Sequence, residues 1–128
     1  MNKRTKQARV FLIHAHDDRR AARKLHQRLR RDSIDAWLDA ANLQPGQDWQ
    51  SEIRAAILTS DAVIVCLSRA FNKQRGYRHQ ELKLALEKAS LLVDKVFIIP
   101  ARLEDCEMPE SLRHLHRVDL FRSEEHTS

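Results

Sequence analysis

Glycine is almost missing from this chain of 128 residues, which has only Gly46 and Gly76. A phosphate-cradling loop or a G-x-G-x-x-G turn needs several glycines within a few positions, because the backbone must approach the phosphates closely and take up positive φ. Walker-type nucleotidases and ordinary dinucleotide-binding dehydrogenases are therefore excluded. Cysteine is equally sparse: Cys66 lies in an apolar run and Cys106 in an expected loop, with no disulfide framework and no zinc pattern between them. That usage points to a reducing compartment. Aromatic residues make up 5%, which leaves the core to Leu, Ile, Val and Ala. No apolar run approaches the roughly 20 residues needed to cross a bilayer. Met1 leads into Asn2, Lys3 and Arg4 rather than a hydrophobic signal region, so the expectation is a soluble, cytoplasmic protein without a membrane partner.

What is present suits a single folding unit, with a hydrophobic content of 42% and a length that can bury one core. The expected divisions are a polar segment at residues 1–8, a domain at residues 9–122 and a polar tail or linker at residues 123–128. The net charge is +5, and Arg19, Arg20, Arg23, Lys24, Arg28, Arg30 and Arg31 crowd into one stretch. Such a stretch favours an anionic partner. The plainer reading is a solvated helix face, and nucleic acid is not among the expected partners.

Strand and helix signals alternate along the chain. Val10 to Ile13 is a short apolar run, followed by Asp17 and Asp18 as helix-capping candidates and by Ala22, Leu25 and Leu29 at helical spacing. Ile34 to Leu38 makes a second strand, a loop runs from Asp39 through Pro45 and Gly46, and a second helix presents Trp49, Ile53, Ala56 and Ile57. Ala62 to Leu67 is a continuous apolar strand. After a polar stretch from Ser68 to Gly76, a third helix buries Leu82, Ala85, Leu86, Ala89 and Val93 and begins its opposite side with Tyr77 and Glu81. Val96 to Ile99 follows as a strand, Pro109 to Leu115 as a helical turn and Val118 to Phe121 as a last strand.

This alternation predicts a parallel sheet covered on both faces. Strands one, three and four are apolar, whereas strands two and five carry Asp35 and Asp119, which suits the edges. The expected fold is α/β, a flavodoxin-like three-layer arrangement with a five-stranded parallel sheet of order 2-1-3-4-5. Ligands of such sheets sit beyond the carboxyl ends of the strands where the winding reverses, here between strands one and three. That rim carries His14, Ala15, His16 and Asp17, then Ser68, Arg69 and the start of the third helix; the loop from Asp39 to Gly46 can fold over it.

Several chemistries fail on these residues. Asp17 and Asp18 would suit a phosphoacceptor receiver domain, but the third strand ends Cys66-Leu67-Ser68 with no aspartate to phosphorylate, and the last ends Phe121-Arg122 without the required lysine. His14 and His16 offer two imidazoles but no third ligand at a fixed spacing, and His114 and His116 add none, so no metal is expected. Cys66 should face into the sheet, which removes a Cys-His pairing. Glu81 lies within the first turns of a helix whose dipole favours an ionised carboxylate. On spacing alone, such a residue serves only to stabilise its helix, and Tyr77 serves to seat the helix on the sheet.

Four segments, in order, change the weight given to Glu81. They are Phe11-Leu12-Ile13-His14-Ala15-His16-Asp17-Asp18; Trp37-Leu38-Asp39 with Leu43-Gln44-Pro45-Gly46; Leu67-Ser68 with Tyr77-Arg78-His79-Gln80-Glu81-Leu82; and Ile99-Pro100 with Leu103-Glu104-Asp105-Cys106 and Pro109. From about Val10 to Phe121 the chain resembles the Toll/interleukin-1 receptor (TIR) domains, in particular the bacterial branch. Four residues depart from the family pattern: Arg69 where a proline usually follows the serine, Tyr77 in place of the usual tryptophan, and Ile13 and Ala15 at positions often held by serine.

The resemblance implies an NAD+ nucleosidase, a glycohydrolase or cyclase acting on the ribose-nicotinamide bond in bacterial immune signalling. Glu81 would be its catalytic residue. His14, Ala15, His16, Asp39, Ser68 and Tyr77 would line the nucleotide, with His16 and Asp39 near the ribose and nicotinamide and Ser68 beside the carboxylate. NAD+ would be the substrate, and no further cofactor is implied. Self-association through the loop from Asp39 to Gly46, or contact with other TIR domains, would activate the domain. The alternative the resemblance allows is a signalling adaptor that binds other TIR domains without turnover.

Overall fold

A strand covered on both sides must be apolar at consecutive positions, and the runs around Phe11 and Val63 meet that condition. In a computed structural model of the chain they form the centre of the sheet. The structure describes residues 7–38, 46, 48–73 and 77–122, and of residues 49, 77–79 and 122 the backbone alone. The elements are β1 (Arg9–Ile13), α1 (Arg19–Arg31), β2 (Asp35–Leu38), α2 (Trp49–Thr59), β3 (Ala62–Leu67), α3 (Arg69–Lys73), α4 (Tyr77–Ser90), β4 (Ile98–Arg102) and β5 (Val118–Asp119). Single 3-10 turns lie at His16–Asp18, Glu110–Leu112 and Leu120–Arg122. The sheet order is β2-β1-β3-β4-β5, parallel throughout.

Alternate residues of the central strands face opposite layers. Phe11, Ile13, Val63, Val65 and Leu67 pack with Ile53 and Ile57 of α2 and Leu82 and Ala85 of α4. Val10 and Leu12 face the other way, onto Ala22, Leu25 and Leu29 of α1. Helix α1 ends in a left-handed turn: Ser33 has φ 66, its N–H donates to the Arg30 carbonyl, and the Ile34 N–H donates to the Leu29 carbonyl. That pair of bonds is the Schellman closure, usually built on glycine. Gly46 has φ +90 with open space around its Cα, so conformation rather than crowding calls for glycine there.

The fold class and strand order agree with expectation; several element limits do not. The strand expected at Val96 to Ile99 is Ile98–Arg102, and Val96 is exposed. Pro100, just beyond the expected strand, is fully buried within the observed one. The Phe97 carbonyl accepts from Val63 and the Leu103 N–H donates to Leu67, so odd-numbered residues of β4 address β3. Position 100 therefore addresses the other side, where β5 begins only opposite Ala101, and the proline removes no ladder bond. The last strand is Val118–Asp119 and gives way to a 3-10 turn at Leu120. Val93 lies beyond the end of α4 and is exposed rather than part of its buried stripe. The stretch from Ser68, read from the sequence only as polar, contains α3, whose Phe71 is buried.

Candidate active site

Helices α2 and α4 lie side by side on one face of the sheet, and a hollow of about 240 Å³ opens between them. Its lining comes from Asp48, Ser51, Ile53 and Arg54 on one side and Gln80, Glu81 and Leu84 on the other, among others. Asp48 caps α2, accepting from the Ser51 N–H at 3.4 Å and the Ser51 hydroxyl at 2.9 Å. Glu81 is 4% exposed, and both of its carboxylate oxygens are shut off from solvent. The sequence reading put Glu81 on the side of its helix opposite the buried stripe. The helix in fact has two covered sides: Leu82 and Ala85 join the sheet core, while Glu81 and Leu84 face the hollow beside α2.

The two helices are locked together by Lys88, seven positions after Glu81 and so on nearly the same face of α4. Its Nζ donates to the carbonyls of Leu58 at 2.6 Å, Ser60 at 2.8 Å and Ile57 at 3.5 Å, and it lies 4.6 Å from the centre of the Phe97 ring. These are the carbonyls at the end of α2, where a cation is favoured by unsatisfied acceptors and by the helix dipole. Burial lowers the Lys88 pKa, opposed by the charge of Asp61.

The strand ends form a second constellation. His14 is 3% exposed, and its Nδ1 donates to the Ala15 carbonyl at 2.7 Å. Ala15 is fully buried in the core. His16 is exposed on the 3-10 turn. Ser68 is buried, accepts from the Phe71 N–H at 3.0 Å and donates its hydroxyl to Asp18. Asp18, a helix-capping candidate in the sequence, makes no side-chain capping bond to α1; it joins the ends of β1 and β3 instead. Arg69, the residue in place of proline, fixes the start of α3 through its backbone N–H to Glu104 at 2.7 Å. Among the expected site residues, Glu81 lines the hollow, while His14, Ala15, His16 and Ser68 do not. Asp39 lies outside the described residues, as does the loop up to Pro45; Tyr77 is described as the first residue of α4 only.

Sequence reasoning missed Arg54, Gln80 and Asp48 as neighbours of Glu81, although an aspartate two positions after Pro45-Gly46 is a readable cap. It also missed Arg102, a buried cation at the end of β4. Arg102 meets Asp119 in two parallel bonds, Nε–Oδ1 at 2.7 Å and Nη2–Oδ2 at 2.9 Å, and lies over the Phe121 ring at 5.3 Å. The hydrogen bond from Arg102 holds the Asp119 carboxyl at about 2, with help from Arg117. Burial, reinforced by the charge of Asp18, pushes the Cys66 thiol up to about 12, which leaves it inert as a nucleophile. Among the described residues no group of three or more His, Cys, Asp or Glu is placed to hold a metal ion, and no helix is long and apolar enough to cross a membrane.

Known proteins share this fold. The TIR domain of a Toll-related receptor, TRR-2, from Hydra magnipapillata superimposes with a TM-score of 0.75 at 25% identity, covering 92% of this chain and 88% of that one. The TIR domains of the activated Roq1 resistosome, which recognises the effector XopQ, give a TM-score of 0.67 at 23% identity over 77% and 58% of the two chains. A curated relative, the uncharacterized protein y4cD of Sinorhizobium fredii (strain NBRC 101917 / NGR234), is 27% identical over 99 residues; the match spans 77% of this chain and 16% of that protein's length. Residues 10–128 match the family profile of the TIR domain, and the chain therefore belongs to the TIR domain family.

Proposed function

We propose that the chain is an NAD+ nucleosidase that breaks the bond between ribose and nicotinamide, with Glu81 as its catalytic residue. The observation that supports this most is that Glu81 stands in the wall of the hollow between α2 and α4, beside Arg54 and Gln80; its oxygens are buried in that wall, so in this proposal the substrate reaches them only once assembly opens it. Breaking the bond builds positive charge on the ribose ring, and nicotinamide leaves as a neutral base that needs no proton. One carboxylate in water-poor surroundings opposes that charge with little screening. Ordinary glycosides need a second carboxyl group to protonate the leaving oxygen. The ribosyl cation is then captured by water, giving a linear product, or by the adenine of the same molecule, giving a cyclic one.

The hollow, at about 240 Å³, is smaller than the roughly 300–1,000 Å³ of ordinary small-molecule sites. It suits the ribose and pyridine end of NAD+, not the whole dinucleotide. In this proposal the remainder is held by His16, by the loop from Asp39 to Gly46 and by a neighbouring subunit, so that self-association completes the site. One solved relative was determined as the TIR domains of an activated resistosome, which supports assembly as the activating step. The test is nicotinamide release from NAD+ by concentrated protein beside Glu81→Ala, with matched unfolding curves for the two. Release that survives in the variant removes Glu81 from the chemistry.

A second reading, an adaptor without turnover, draws on a different observation. Leu91, Val93 and Val96, on the connection from α4 to β4, are 76–80% exposed and offer an apolar surface to another domain. Absence of release under every assembly condition, with association intact, would favour that reading.

A further inference from the structure

Helix α1 carries the densest charge in the molecule. Its thirteen residues include no acid, and its seven cations exceed the net charge of the whole chain, +5. Helical spacing puts all seven on about half of the circumference, along a length of about 18 Å. All seven are exposed, with Gln27 the one neutral residue among them. Arg30 pairs with Asp35 at 3.8 Å; among the described residues the other six have no acidic partner.

Helix stability accounts for only part of this pattern. Arg28, Arg30 and Arg31 stand in the last turn, where the dipole favours cations. Arg19, Arg20 and Arg23 stand at the opposite end, where it disfavours them, and Arg19–Arg23, Arg20–Lys24 and Lys24–Arg28 are like charges four residues apart. These residues work against the helix that carries them, which calls for a partner that repays them. A membrane surface fits poorly, because the apolar stripe that would enter it, Ala22, Leu25 and Leu29, is packed on the sheet. Single strands fit poorly as well, since the helix has no aromatic residue for bases to stack on.

We propose that the exposed half of α1 binds the phosphate backbone of double-stranded DNA, lying along the major groove with cations on its two flanks reaching the two strands. A groove about 12 Å wide admits a helix, and the duplex supplies a charge every ~1.7 Å of its axis. The binding is not sequence-specific. It is independent of the Glu81 chemistry and survives if that reading fails.

The test is fluorescence anisotropy of the full chain with a labelled DNA duplex of about 20 base pairs. With four to six phosphates neutralised, affinity falls roughly a hundred- to a thousandfold between about 50 and about 200 mM salt. The triple variant Arg20→Glu, Lys24→Glu, Arg28→Glu abolishes binding, while Lys73→Glu, Lys83→Glu, Lys95→Glu, with the same change in net charge at exposed sites elsewhere, retains most of it. Equal loss in both variants, or no binding by the unaltered chain at the lower salt, overturns the proposal. Displacement by polyglutamate at equal charge assigns the face to acidic proteins and also overturns it. An RNA duplex, whose deep, narrow major groove excludes a helix, binds more weakly; equal affinity overturns the groove docking.

Discussion

Glu81 and Asp119 are both carboxylates held within the fold, in different surroundings. Asp119 is bound by the forked contacts of Arg102 and by Arg117, an arrangement that fixes β5 and leaves the group no freedom to react. Glu81 is among the residues lining the hollow beside α2, with both oxygens shut off from solvent. The sign of the pH effect follows for Asp119: its carboxyl is held at about 2 in the folded chain against an ordinary value of 3.8. Its contribution is complete above about pH 4 and is lost as pH falls through about 2. Asp119→Asn should therefore unfold more readily near neutrality and show a flatter acid dependence between those limits, as read by thermal melts at stepped pH. An unchanged acid slope would show that the forked pair does not govern this window. Neither set of surroundings could be read from a position in the sequence, because the partners of Asp119 include a residue 17 positions away and the wall facing Glu81 belongs to another helix.

At the scale of elements, α2 and α4 hold the hollow open because Lys88 closes the carbonyl end of α2. Lys88→Met keeps the stem and removes the ammonium, and it should cost about 1–2 kcal/mol, allowing for partial exposure, with a lower midpoint in urea. If activity is present, it should fall with it. Ser33 carries a left-handed backbone that side chains resist, so Ser33→Gly should raise stability by roughly 0.5–1 kcal/mol; no gain would mean the turn is not strained. The strands were legible wherever burial on both faces made them apolar throughout, and Ala62–Leu67 matches residue for residue. The expected strand at Val96 to Ile99 differs from the observed Ile98–Arg102 because a buried proline and a buried, paired arginine extend the strand beyond its apolar run. Sequence periodicity gives the helix at Tyr77–Ser90 one buried stripe and leaves Glu81 outside it, whereas a helix wedged between a sheet and a neighbour buries two.

The whole molecule combines a sheet that sequence pattern specifies well with a site that depends on juxtaposition. Strand order follows from where the charges fall, with Asp35 and Asp119 on the edge strands β2 and β5. The hollow depends on the spacing of two helices, which no local pattern encodes. Because it is too small for a dinucleotide, the enzyme reading carries a requirement at the scale of assembly: turnover per subunit should rise with protein concentration, and dilution should silence it. The most direct measurement is the initial rate of nicotinamide release from NAD+ across a protein concentration series, for the unaltered chain and for Glu81→Gln. That rate should climb faster than concentration and fall roughly a hundredfold or more in the variant; a rate that the substitution leaves unchanged would overturn the enzyme proposal.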